Sequence, residues 1–456
     1  MLPRIFSRTL ATFFLWLVAI TSNAQQITLS QQDSETLDSA KVLFTMKGSN
    51  TIGEKLAPAL AAEFLKEQGA TKTQIIKTHT VEKTVVGYMP DGTVHAVDIK
   101  AHGSSTGFKT LAQQNTDIAM SSRRIKDKER QKLKSHYGDL RAIQNEYTVA
   151  VDGLAVIVHP QLNIKQLTTK ELAKIFSGEI TNWKELGGDN LPISVFARDD
   201  NSGTYDTFKS LVLKRHNVKL SEFAKRYESS GELSQQVSST FGAIGFVALP
   251  YVNESKAIAI SEPGVALSFK PNRFTVSTED YVLSRRLYLY YPSNNNNPHA
   301  RKFMDFVLKN KAQTTVEENN LISLKVNDAT VRFNRNYPPR YLNMIRGLKR
   351  LSITFHFDQN LKLDNKGQRD IERLSDYVKN HRLKNLFVFG FSADSGDKAK
   401  DKELSEQLAD RITARLEQSG INPFYTQGYG SRGAIASNAT TNGQAKNQRV
   451  EVWVTR

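Results

Sequence analysis

Three short stretches of this sequence hold the residue types best suited to gripping an anion. "RDDNSGTYDTF" sets Arg198 four residues before Ser202, Gly203 and Thr204, which open an apolar helical pattern. "KGSNTIGEKL" places Ser49, Asn50 and Thr51 in the same setting, and "HGSSTGF" does so with Ser104 and Ser105. The first turn of a helix leaves backbone N–H groups unpaired and carries the positive end of the peptide dipoles, so hydroxyls and glycine there favour an anion. Each turn alone is explained by ordinary N-capping. Three of them, one with a fixed guanidinium, point to a convergent oxyanion site. "DIAMSSRRI" adds a fourth candidate, with Ser122 beside Arg123. An alternative chemistry is phosphoester hydrolysis, with Ser202 as nucleophile and Arg198 on the transferred group. It needs an activating base. The nine histidines show no metal-binding spacing, and no catalytic residue, metal site or cofactor is assigned.

The elements around these turns read as α/β. From Lys41 to Leu324, short β-branched and aromatic runs alternate with amphipathic helical patterns, as in "AVIVH" before "TTKELAKIFSG". The aspartate of "VDGLAV", Asp152, reads as a structural residue near a crossover strand. Residues 325–349, with Pro338 and Pro339, are expected as a linker. The pattern restarts at 350: "LSITFHF", a helix capped by Asp364, "NLFVFGF", a helix closed by Gly420, and "NQRVEVWVTR" predict a small βαβαβ domain over 350–456.

Arg4 and Arg8, the apolar run Leu10 to Ile20, and Ser22 and Ala24 form the pattern of an export signal over 1–24. That run is too short to span a bilayer, and no transmembrane segment is expected after cleavage. With no cysteine, the chain has no disulfides, thiolate sites or lipid-modified cysteine. The formal charge of +16 is spread over several helical segments without a nucleic-acid motif, so nucleic acid is not an expected partner.

The segments "GSNT", "GSSTGFKTLAQQNTDIAMSSR", "IFSGEITNW", "RDDNSGT" and "GAIGFVALPY" resemble, in the same order, the phosphate-binding proteins of bacterial periplasmic uptake systems. The resemblance covers 41–324 and implies a type II periplasmic-binding-protein fold: two α/β lobes joined by crossover strands, closing on phosphate. Carried over residue by residue, the family's ligand contacts fall on Ser49, Asn50, Thr51, Ser104, Ser122, Arg198, Ser202, Gly203 and Thr204. Some relatives have aspartate at the position of Ser122, accepting the proton of hydrogen phosphate and rejecting sulfate. Residues 83–100 read as an inserted hairpin turning at Pro90, Asp91 and Gly92.

"FHFDQNLKLDNKGQRDIERLSDYV", "GFSADSG", "LSEQLADRITARL" and "NQRVEVWV" resemble the peptidoglycan-associating domain of outer membrane protein A and its relatives. That resemblance implies contact with the diaminopimelate of the wall peptide through an aspartate, here Asp394, and a helix arginine. Leu408 occupies the arginine position, and Arg411 is the expected substitute; Asn447 and Arg449 match the family's closing motif. Weak wall binding, strengthened by Leu408→Arg, is the expectation. Together the resemblances imply a receptor for inorganic phosphate or a similar oxyanion in the periplasm of a Gram-negative bacterium. Its expected partners are an ABC permease and the cell wall at the outer membrane; the competing reading is an envelope structural or sensor protein with a degenerate cleft.

Overall fold

The computed structural model describes residues 29–200, 202–331, 336–358 and 360–455, and the expected export signal lies outside them. One long mixed sheet runs through the first two thirds of the chain. Its order is Lys72–His79, Glu82–Tyr88, Val94–Lys100, Lys41–Gly48, Ile118–Ser121, Ser284–Tyr290, Glu146–Val158, Ala243–Ala248, Ser194–Arg198 and Lys225–Tyr227. Two apolar cores divide it into lobes. The first gathers Phe44, Leu60, Phe64, Phe303 and Phe306; the second gathers Phe176, Trp183, Phe208, Phe246 and Tyr281.

The strand Glu146–Val158 joins the lobes. All of its residues are buried, which is why apolar side chains occupy both of its faces, interrupted by the buried polar residues Glu146, Thr148 and Asp152. Tyr147, Val149 and Ala150 enter the first core, and Val151, Leu154, Val156 and Val158 enter the second. Ser284–Tyr290 runs antiparallel beside it, with Arg285 directly opposite Asp152. These two strands are the crossover pair, and any rotation of one lobe against the other must pass through them.

Local signals explain the elements that matter most to the cleft. Lys41–Gly48 is parallel to Val94–Lys100 and to Ile118–Ser121, so the turns that follow all three emerge at the same sheet edge. The helix Thr169–Ser177 starts in a capping box of Thr168 and Glu171 and stops at Gly178, which is left-handed. Residues 83–100 do turn at 89–93, where Met89 and Thr93 pair through their backbones and Gly92 has φ +84°. The hairpin is no ornament, however. Val94–Lys100 is the direct neighbour of Lys41–Gly48 and delivers the Ser104 turn.

The C-terminal sheet has the order Asp328–Ala329, Lys349–His356, Arg449–Val454, Leu386–Phe391, Tyr425–Gly428. Alternation sorts its side chains: Val388, Val450 and Val452 face the helices Asn365–His381 and Lys398–Gln418, whereas Phe389, Phe391 and Trp453 face the opposite side. The stretch expected as a linker contributes the strand Asp328–Ala329 and the helix Pro339–Met344, whose Tyr341 is buried on Phe389, Phe391 and Trp453. Aromatic area explains why this segment packs rather than hangs free. Among the described residues no helix is long and apolar enough to cross a membrane.

The C-terminal sheet docks on the two-lobed part through charges that are themselves buried. His356, beneath this joint, has neither ring nitrogen hydrogen-bonded. Burial, which disfavours the imidazolium, pushes its pKa down to about 4 from 6.5 despite the Glu279 carboxylate nearby. The unfolded chain therefore holds this proton between pH 6.5 and 4 while the folded chain does not, and stability present above pH 6.5 is lost as pH falls through that window. The loss amounts to about 3 kcal/mol for one such group. Glu279 is held at about 2 from 4.5: burial opposes the shift, but Arg286 and Lys366 outweigh it, so its contribution is lost only below pH 4.5. Melting curves from pH 7 to 4 are expected to show the first leg, and His356→Gln to flatten it while leaving the acid leg below pH 4.5.

Candidate functional site

The three turns land where the sheet directs them. Ser49 follows Lys41–Gly48 directly, its N–H donating to the Met120 carbonyl at 2.9 Å, and a helix runs on from Asn50. Gly48 allows this approach: with φ +138°, it lies so close that an added Cβ would sit 2.1 Å from the Met120 oxygen. Ser104 opens the helix Ser104–Ala112, and its Oγ accepts from the Ser122 N–H at 3.1 Å and lies 3.3 Å from Ser122 Oγ. Ser49, Ser104 and Ser122 thus share the carboxyl ends of three parallel strands, the edge where open α/β sheets take their ligands. Ser49 Oγ and Asn50 Oδ1 are buried with no hydrogen-bond partner among the described residues.

The second lobe supplies the facing turn. Ser202 caps the helix Gly203–Phe208, its Oγ accepting from the Tyr205 N–H at 3.3 Å. Arg198, the last residue of Ser194–Arg198, is fixed from behind: its Nε donates to the Tyr227 carbonyl at 3.2 Å and its Nη1 to Ser230 Oγ. Thr51, Arg198, Ser202, Gly203 and Thr204 line a cavity of about 280 Å³ with Asp152. An adjoining cavity of about 600 Å³ is lined by Asn50, Arg198 and Ser202, together with Lys77, Thr80 and Lys83 from the ends of Lys72–His79 and Glu82–Tyr88 and the turn between them. Ser49, Ser104 and Ser122 line neither of these two cavities.

The lobes touch at this point. Thr51 Oγ1 lies 3.5 Å from the Gly203 carbonyl, and a Cβ on Gly203 would stand 3.0 Å from Thr51 Cα. A side chain at Gly203 would press the two helix starts apart by a few tenths of an ångström. Holding them together is Arg285, which the sequence reading missed. Its Nη2 donates to Thr51 Oγ1 at 2.7 Å and to the Gly203 carbonyl at 3.4 Å, and its Nε pairs with Asp152 at 3.3 Å. Asp152 also accepts from Thr207 Oγ1 at 2.9 Å. It is the structural residue on a crossover strand that its sequence context suggested. A signal for Arg285 did exist: "VLSRRLYLYY" sets two arginines inside an otherwise apolar strand. Arg123 is engaged by Glu129 through both guanidinium nitrogens and by Ser105 at 3.0 Å, so it orders the rim of the Ser104 turn.

In the C-terminal domain the structure separates the expected group. Asp394 sits in a loop, its N–H donating to Asn438 Oδ1 at 3.2 Å and its carboxylate accepting from the Gly396 N–H. Arg411 lies elsewhere and donates to the Leu361 carbonyl; no hydrogen bond or ion pair joins it to Asp394. The reason is helical phase. Leu408, Ala409, Ile412 and Leu416 fill the core-facing stripe of Lys398–Gln418, which leaves Arg411 on another face. Asn447 uses its side-chain amide on Ile435, Ala436 and Asn438, and Arg449 is buried against Glu451, the Gly433 carbonyl and the Phe391 ring. Both hold the 433–438 loop in shape. The cation that shares a groove with Asp394 is Arg432; this groove of about 640 Å³ also takes in Ser431, Asn438 and the 263–267 loop of the second lobe.

Two lobes on a crossover pair, with helix starts meeting across the cleft, define a solute-binding protein with an additional C-terminal domain. Residues 41–311 match the model of the PBP superfamily domain and residues 354–448 that of the OmpA family. This chain belongs to the PBP superfamily. It is similar to the phosphate-binding protein PstS of Pseudomonas aeruginosa, 30% identical over 244 residues that cover 50% of this chain and 74% of the relative. Against PstS of Bacillus subtilis the figures are 28% over 304 residues, 66% and 88%. The solved structure of a possible phosphate binding protein from Planctomyces limnophilus matches with a TM-score of 0.50 at 24% identity, covering 62% of this chain and 93% of the other, a likeness of fold.

Proposed function

We propose that this protein is a periplasmic receptor for inorganic phosphate, held at the cell wall by its OmpA-family domain and presenting its closed form to an ABC permease. The observation that carries the reading is the convergence of helix starts from both lobes on cavities that share one fixed guanidinium, with Ser49 Oγ and Asn50 Oδ1 buried beside them and unpartnered. Phosphate fits that donor set. Backbone N–H groups and hydroxyls of Thr51, Ser202, Gly203 and Thr204 in the cavity lining, joined by the hydroxyls of Ser49, Ser104 and Ser122 as the lobes close, replace its water, Arg198 supplies charge, and Asn50 Oδ1 can accept the proton of hydrogen phosphate. Because donors come from both lobes, the anion binds the closed form better and shifts the protein toward it. The relatives' names support phosphate over other oxyanions. At the wall, we read Asp394 as the partner of a wall peptide's ammonium and Arg432, which lines the same groove, as the partner of its carboxylate.

A thermal shift tests the reading: millimolar phosphate is expected to raise the melting temperature through linkage, and no shift would count against it. Sulfate, which carries no proton near neutral pH, is expected to compete measurably, because Ser122 is a weaker proton acceptor than a carboxylate. Ser122→Asp is expected to lower sulfate competition by about tenfold, the scale of one charge-assisted hydrogen bond. Competition assays in which a large sulfate excess leaves phosphate binding by the wild type untouched would assign the discrimination to another acceptor.

A further inference from the structure

Arg285 and Arg286 are successive residues of the crossover strand Ser284–Tyr290, so their side chains leave it on opposite faces. Arg285 enters the cleft and ties Thr51 to Gly203. Arg286 goes the other way, bonding Glu279 at 2.9 Å and, across the domain joint, Asp364 at 2.7 Å. Asp364 caps the helix Asn365–His381, and the start of that helix lies over the first lobe. Asn365 donates to the Arg141 carbonyl and to Glu146, each at 2.9 Å. Arg369 donates to the Glu146 and Ile143 carbonyls and stacks its guanidinium 4.5 Å from the centre of the Tyr147 ring.

The same domain grips the second lobe. Arg350 pairs with Asp280, both buried; the Ser437 N–H donates to Glu262 at 2.8 Å; and Asn336 donates to the Ala266 carbonyl at 2.9 Å. Val265 and Leu267 of the second lobe pack with Tyr337, Phe391 and Ile435. The C-terminal domain therefore holds 141–147 of one lobe and 262–280 of the other, and bonds to both crossover strands at Glu146 and Arg286. Opening the cleft turns the lobes about those strands and changes the distance that the domain spans.

We propose that the docked C-terminal domain is a brace across the hinge that sets the receptor's affinity for its anion, with Arg286 as the positioning residue through which docking holds Arg285 on Thr51. The brace rests on the phosphate reading for its ligand and adds a coupling that the two-lobed fold alone lacks. Coupling of this kind is reciprocal: if docking tightens anion binding, the anion must tighten docking by the same factor.

The test uses the full chain and inorganic phosphate. Asp364→Asn is the chosen variant because asparagine caps helices as well as aspartate does and removes only the charge facing Arg286. It is expected to weaken phosphate binding five- to fiftyfold, mainly through faster release, and Asn365→Ala to act in the same direction, while Arg286→Lys, which keeps the charge, retains most of the affinity. In the wild type, phosphate is expected to slow hydrogen exchange at the Ser437 amide, which bonds across the joint and lines neither cleft cavity. Affinities within twofold of wild type in both Asp364→Asn and Asn365→Ala would overturn the brace. So would weakened binding with no response of the Ser437 amide to phosphate, because linkage requires both. A wild type that binds no phosphate would bring down the functional reading and the brace together, whereas normal wild-type binding with indifferent variants brings down the brace alone.

Discussion

Arg198→Ala is expected to leave the protein folded and to weaken phosphate binding on the order of 100-fold or more, judged from the loss of a charge-assisted contact at a dry site. The guanidinium lines both cleft cavities and is aimed by two bonds from behind, to the Tyr227 carbonyl and to Ser230. That aim matters as much as the charge. A lysine has no planar fork and cannot hold the Tyr227 and Ser230 contacts while facing the anion, so Arg198→Lys is expected to recover only part of the loss. Equilibrium titration of both variants, with circular dichroism to establish folding, checks the pair. Binding unchanged in Arg198→Ala would place the anion elsewhere.

The second large effect concerns the C-terminal domain and reverses what the sequence alone suggests. By motif, Leu408 stands where an arginine belongs, and Leu408→Arg looks like a repair. In the structure Leu408 is fully buried among Leu351, Phe355, Leu374, Val450 and Val452. A guanidinium there would be set among the apolar side chains of this core. The substitution is expected to cost about 4 kcal/mol or more, the scale of an uncompensated buried charge, and to lower the melting of this domain by on the order of 20 °C. Scanning calorimetry of the full chain reads the effect directly. Wild-type stability with stronger retention on purified sacculi would mean that the helix can turn its 408 face toward Asp394, contrary to the packing described.

The helical stripe that buries Leu408 was legible in the sequence, since Leu404, Leu408, Ile412 and Leu416 recur every fourth residue. Motif matching overrode periodicity at that position. The three serine turns were legible for the complementary reason. A strand end, small polar residues and a helical pattern lie within one short stretch, so local chemistry fixes local geometry. Arg285 was not legible in the same way, because its partners Asp152, Thr51 and Gly203 come together only through strand register and lobe contact. The domain joint was hidden by charge. Arg350, Asp280 and Glu451 look like solvated surface residues in sequence and are all buried in the structure, paired across distances along the chain that no periodicity reports. The linker was misjudged through its two prolines, which here precede and start the short helix Pro339–Met344 instead of marking free chain.

The cleft is expected to bind inorganic phosphate as one ion held by both lobes. Calorimetric titration of the full chain, freed of phosphate by dialysis, measures this most directly. A saturable heat with one phosphate per chain, no release of product, and abolition of that heat at the same concentrations in Arg198→Ala are expected. No heat at millimolar phosphate, or a stoichiometry and affinity indifferent to Arg198, would contradict it.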